Sequence, residues 1–217
     1  MSETSGAPAL IRRTARHRGA AAGMILLSGW DGGVPLVDPA CGAGTIPIEA
    51  ALIATNTAPG LLRKEFSFQK LADYDATAWR SCVRDAEERV DRKWRGRIEG
   101  SDLSRAVVRQ AGENAARAGV GRRVAFEVRD VRDLAPEGPP GIILCNPPYG
   151  VRMSAGSAED SFYRAMGEAF KKRCRGWTAY VLSGNPDATK ALKLKASRRI
   201  PLMNGPIDCR LLRYELY

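Results

Sequence analysis

Asn146-Pro147-Pro148-Tyr149 combines an amide, two rigid prolines and an aromatic ring directly after the apolar run 141–145. That set suits chemistry on a planar amino group. The lone pair of a nucleobase amino nitrogen is delocalised into the ring, so a catalyst must bind the amino hydrogens and turn the lone pair outward. The Asn146 side chain offers one acceptor. Pro147 lacks an N–H and leaves its carbonyl as a second, while the prolines fix φ near about −65° and hold both acceptors in place. Tyr149 is suited to stack on the base. The tetrapeptide also reads as a loop breaker after a buried strand, because such dipeptides are turn signals, so its setting has to decide.

A second constellation is Asp38-Pro39-Ala40-Cys41-Gly42-Ala43-Gly44-Thr45. Gly42 and Gly44 let backbone approach a ligand closely, and a helix starting at Thr45 offers free N–H groups to an anionic group such as a carboxylate. Asp102 and Asp130 each follow a short strand-like stretch. The first is suited to accept both hydroxyls of a ribose, the second to accept from an adenine amino group. Singly, each acid also fits an ordinary helix N-cap; as a series of strand ends they fit a nucleotide-like ligand. A nicotinamide dinucleotide competes for this site, but Gly42-x-Gly44-x-x-Pro47 lacks the third glycine. Asp102 also lies well beyond the spacing of roughly 20 residues in the dinucleotide fingerprint, unless 55–97 is an insertion.

These residues need a scaffold, and hydrophobic periodicity supplies one. Strands are predicted over 34–38, 96–102, 124–128, 141–145 and 178–182. Helices are predicted over 20–27, 45–54, 76–94, 103–118, 161–172 and 186–194. The end of the chain differs: 198–203, Asn204-Gly205 and 207–216 read as a β-hairpin, since Asn-Gly favours the positive φ of a tight turn. Alternating strands and helices closed by a hairpin predict an α/β fold with a mostly parallel seven-stranded sheet, one antiparallel edge and helices on both faces. In such sheets ligands bind beyond the carboxyl ends of the strands, where strand order reverses. Residues 1–19 read as a basic, poorly ordered N-terminal segment, and 20–217 as one domain with a helical insertion at about 55–97.

Composition narrows the partners. The 217 residues hold 34 Lys and Arg against 24 Asp and Glu, a formal charge of +10. This excess favours a polyanion. Basic residues concentrate at Arg12, Arg13, Arg16 and Arg18, at Arg92, Lys93, Arg95 and Arg97, and from Lys171 to Arg213. The five cysteines form no Cys-x-x-Cys pair and His17 is the single histidine, so no zinc site is expected. Cys41 and Cys145 flank the expected site and are read as packing rather than nucleophiles. No apolar stretch approaches the roughly 20 residues of a membrane span. The expectation is a cytoplasmic protein with reduced thiols, a monomer or weak dimer without metal.

The glycine turn at 38–45, followed about a hundred residues later by Asn146-Pro147-Pro148-Tyr149, resembles the S-adenosylmethionine-dependent methyltransferases of exocyclic amino nitrogens. Three further stretches narrow the resemblance: 45–51, 146–150 and Asn204-Gly205-Pro206-Ile207-Asp208-Cys209-Arg210-Leu211-Leu212. With the similar segment 58–79, they look like the THUMP-associated RNA guanine-N2 methyltransferases, in particular those acting on large-subunit ribosomal RNA. That resemblance implies a Rossmann-like methyltransferase domain and S-adenosyl-L-methionine as cofactor. It implies cofactor contacts at Asp38, Pro39, Ala40, Cys41, Gly42, Gly44, Thr45, Asp102, Leu103, Asp130, Val131 and Asn146. Catalysis is implied at Asn146, Pro147, Pro148 and Tyr149, acting on ribosomal RNA or else tRNA. Such enzymes usually carry a ferredoxin-like and THUMP region upstream, whereas about thirty residues precede the first strand here. An acid often found in the preceding helix is replaced by Arg16-His17-Arg18. The rival readings are adenine-N6 methylation of DNA or RNA, methylation of a glutamine side chain, and a non-catalytic RNA-binding module.

Overall fold

The computed structural model describes residues 18–147, 158–205 and 207–217. Seven strands form one sheet: β1 (Leu36–Asp38), β2 (Ile98–Asp102), β3 (Ala125–Val128), β4 (Ile142–Cys145), β5 (Thr178–Ser183), β6 (Arg198–Asn204) and β7 (Ile207–Glu215). Their order is β3-β2-β1-β4-β5-β7-β6. β1 to β5 run parallel, and β7 is antiparallel to both β5 and β6. The predicted mostly parallel sheet with a terminal hairpin is therefore present. Strand order reverses between β1 and β4, which places a crevice beyond the ends of those two strands.

The central strands are short and apolar because both faces are covered. On one face, Met24 and Ile25 of α1 (18–28) pack with Ala50 to Leu52 of α2 (Thr45–Ala54) and Ala115 of α4 (Arg105–Arg117). On the other face, Tyr163, Met166 and Phe170 of α5 (Ala158–Arg173) pack with Ala188 of α6 (Pro186–Lys190) and Trp177. The apolar residues of each layer leave water on docking to the sheet, at about 25 cal/mol per Å².

Between α2 and β2, α3 (Ala76–Glu88) and two short 3₁₀ turns bury none of their residues. Phe66 and Phe68 instead meet the edge of Trp79 at centroid distances of 5.3 and 5.0 Å.

Element ends differ from expectation for local reasons. α3 starts where Asp75 caps Thr77 and Ala78, but it stops at Glu88 rather than 94. There the Asp91 N–H turns back to the Thr55 carbonyl at 2.8 Å, and its carboxylate takes the N–H groups of Lys93 and Trp94. α4 begins after Ser104, whose hydroxyl caps Val107, rather than at Leu103. α6 ends at Lys190 rather than 194, and Lys193 takes φ 51°. Asn204 is the last paired residue of β6, opposite Ile207, so the tight turn begins at Gly205 with φ 62°.

Candidate active site

Four adjacent strands deliver the candidate residues to one end of the sheet. β1 ends at Asp38, β2 at Asp102 and β3 at Val128, two residues before Asp130; β4 ends at Cys145, directly before Asn146. Asp38 pairs with Gly100, and Val37 with Ile143. The glycine turn and Asn146 therefore meet at the point where strand order reverses.

The turn is built by backbone bonds. Cys41 N–H donates to the Ser101 carbonyl at 2.9 Å, Gly44 N–H to the Cys41 carbonyl at 2.9 Å, and the Asn114 amide holds the Ala43 carbonyl at 2.8 Å. Gly44 precedes α2 at φ 83° and ψ 20°, and α2 has no side-chain cap. Its first N–H groups thus have no capping side chain. Gly44 is also sterically required, because a Cβ there would stand 2.9 Å from Phe126 and 3.0 Å from the Ala111 methyl. Gly42, at φ 52°, would meet nothing within 4 Å, so its missing side chain borders open space.

Asp102 organises the rim. Its carboxylate accepts from Gly42 N–H at 3.2 Å and Ser104 N–H at 3.0 Å, which leaves lone pairs on both oxygens for hydroxyl donors. Leu103 beside it is 70% exposed. Asp130 is more committed than expected. Its carboxylate accepts from Arg132 N–H at 2.8 Å and from the Arg132 guanidinium at 2.6 Å, and that cation holds the carboxyl below its usual range. Val131 is buried in the core beneath this turn.

Asp38 is 1% exposed and accepts the Ala40 N–H at 3.2 Å. Burial pushes its carboxyl up to about 8; the Ala40 bond opposes this, and the Asp102 charge adds to it. The group is thus neutral near pH 7. Pro39 is buried, and Ala40 and Thr45 are half-buried. Cys41 and Cys145 are buried, and burial pushes both thiols well up, which removes them as nucleophiles.

Asn146 carries the clearest chemical signal. Its Oδ1 is buried and accepts no hydrogen bond among the described residues. A buried acceptor without a donor costs about 1–3 kcal/mol. Buried polar atoms without a partner are rare in native proteins. Pro147 is buried beside it; Pro148 and Tyr149 lie outside the described residues. One feature went unread in the sequence: Glu49, 4% exposed in α2, is bonded to Arg18 of α1. A lone acid inside the apolar stretch 46–53 was the available signal.

Residues 14–213 match the family model described as UPF0020, RMKL-like, methyltransferase domain. A Synechocystis protein named as a putative RNA methyltransferase is 38% identical over 197 residues, which cover 91% of this chain and 51% of that protein. The solved structure of SMU.472, named as a putative methyltransferase and complexed with SAH, superposes with a TM-score of 0.85. It is 32% identical, over 92% of this chain and 52% of that one. The solved structure from Listeria monocytogenes named as a predicted N6-adenine-specific DNA methylase gives a TM-score of 0.84 at 32% identity, over 92% of this chain and 51% of that one. The chain spans about half the length of these relatives. With the glycine turn and the Asn-Pro strand end both inside the matched region, the chain belongs to the UPF0020 family of RMKL-like methyltransferase domains.

Proposed function

We propose that this chain transfers a methyl group from S-adenosyl-L-methionine to the exocyclic N2 amino group of a guanine in RNA, with large-subunit ribosomal RNA as the favoured substrate. The observation that carries this reading is the orphaned, buried Oδ1 of Asn146 at the end of β4, beside the glycine turn. The family supports methyl transfer, and the relative named as an RNA methyltransferase supports RNA. Asp38, the 39–45 turn, Asp102 and Leu103 would hold the cofactor, with Asp130 and Val131 at its far side. The open space at Gly42 and the spare lone pairs of Asp102 fit it.

When bound, S-adenosyl-L-methionine supplies an electrophilic methyl group on a sulfonium sulfur. The chain's own work is positioning. Asn146 Oδ1 accepts one amino hydrogen and the Pro147 carbonyl the other, which turns the nitrogen lone pair outward. Tyr149 stacks on a base withdrawn from its neighbours, a contact worth on the order of 1–3 kcal/mol. Asp38 keeps its proton near neutral pH, so no second carboxylate charge accumulates beside Asp102.

Adenine N6 presents the same two hydrogens to Asn146, and the Listeria relative's name favours that reading. Mass spectrometry of nucleosides from RNA incubated with the protein and labelled cofactor separates the two. Labelled N2-methylguanosine is the expected product, and N6-methyladenosine as the sole product would overturn the assignment.

A further inference from the structure

β5, α6 and the terminal hairpin line a half-open cavity of about 370 Å³, with Ser183, Lys190, Arg199, Asp208, Arg210 and Tyr214 among its lining residues. That volume lies within the range of small-molecule sites, about 300–1,000 Å³. Its position follows from strand register. Cys145 pairs with Val181, so continuing the parallel register sets Pro147 alongside Ser183. Ser183 in turn pairs with Arg210 of β7. Adjacent strands are about 4.8 Å apart, which puts Arg210 two strand spacings, or about 10 Å, from the Asn146-Pro147 strand end. This is the scale of a single nucleotide.

The cations there are available. Arg199 and Arg210 are exposed and neither forms an ion pair among the described residues, whereas Lys190 is paired with Asp187 at 2.7 Å. Arg199 and Pro201 stand opposite Leu212 and Arg210 in the hairpin register, so both guanidinium stems rise from the same face. Guanidinium forks match phosphate oxygens in a bidentate manner. Asp208 keeps the pocket from being uniformly basic and offers an acceptor to a ribose hydroxyl.

We propose that this cavity is an RNA subsite, in which Arg199 and Arg210 bind the backbone phosphate of a nucleotide flanking the one presented to Asn146. The proposal rests on the reading of the chain as an RNA methyltransferase. An acidic peptide is the competing occupant; the adjacency to Asn146 favours RNA.

The test uses the full chain and a fluorescent single-stranded RNA 12-mer containing guanine. Affinity is followed against salt for the wild type and the double variant Arg199→Gln/Arg210→Gln. Loss of two phosphate contacts lowers the slope of log affinity on log salt by about 1.4, at roughly 0.7 per contact for single strands. Affinity should fall at least tenfold. Calorimetry with S-adenosyl-L-methionine should give the wild-type value, which shows that the variant is folded and keeps the cofactor reading separate. Arg92→Gln/Lys93→Gln removes the same charge at the opposite end of the strands and should change the slope little. An unchanged slope in the first variant, an equal loss in the second, no RNA binding by the wild type, or an equal loss of affinity for poly-glutamate would each overturn the subsite.

Discussion

The carboxylate of Asp102 accepts the backbone N–H of Gly42 at 3.2 Å, joining groups 60 residues apart in the chain. The residue proposed to hold a ribose also fixes the turn proposed to hold the rest of the cofactor. Asp102→Ala should therefore weaken S-adenosyl-L-methionine binding by about tenfold to a hundredfold, the equivalent of one hydrogen bond to a charged group at roughly 1.5–3 kcal/mol. Isothermal titration measures it; affinity within twofold of the wild type would exclude Asp102 from the site.

The two turn glycines should separate stability from binding. A methyl group at Gly44 would press on Phe126 and Ala111, so Gly44→Ala should lose about 1–3 kcal/mol by overpacking, plus the strain of its positive φ. Gly42→Ala meets open space and should cost about 1–2 kcal/mol for the left-handed conformation alone, while its methyl group enters the ligand's volume. Paired thermal melts and cofactor titrations should find Gly44→Ala the less stable protein and Gly42→Ala a folded protein with impaired binding. The reverse order would contradict this account of the turn.

Asn146→Ala removes a buried acceptor that accepts no bond among the described residues. The variant should be as stable as the wild type or up to about 1 kcal/mol more stable, and should keep most of its cofactor affinity, because Asn146 is one contact among many. Methyl transfer should fall at least a hundredfold. Retained transfer would remove Asn146 from the chemistry.

Asp38 makes stability depend on pH in a particular direction. Its pKa rises from 3.8 to about 8 on folding, so between those values the folded state holds a proton that the unfolded state has lost. Stability then declines as pH rises across that window and levels off above about 8. Asp38→Asn keeps an acceptor for the Ala40 N–H and cannot titrate. Urea denaturation at pH 5 and pH 8 should find the wild-type decline larger than that of Asp38→Asn; equal declines would refute the raised pKa.

Strand ends were most legible where a candidate follows an apolar run that has to be buried, as Asp38 follows Leu36-Val37 and Asn146 follows Ile142 to Cys145. Asp102 follows Ile98-Glu99-Gly100-Ser101, so its place came from the alternation of strands and helices around it rather than from an apolar run. Asp130 was harder to read: a strand end followed by Val131-Arg132 also makes a local cap, and the Arg132 guanidinium that occupies the carboxylate comes from only two residues on, a local contact that no periodicity marks. The stop of α3 at Glu88 depends on Asp91 reaching Thr55, a contact with no local signature in the helical pattern. Glu49 was hidden for the same reason, since its partner Arg18 lies 31 residues away.

β1 and β4 are neighbours in the sheet, yet their ends are separated by more than a hundred residues of chain. Closing a loop of that length costs entropy before any contact repays it. The crevice between Asp38 and Asn146 therefore comes into being only when β1 and β4 are paired in the assembled sheet. Occupancy of this crevice is a measure of global folding. Whatever binds there draws the whole molecule toward its native state by mass action.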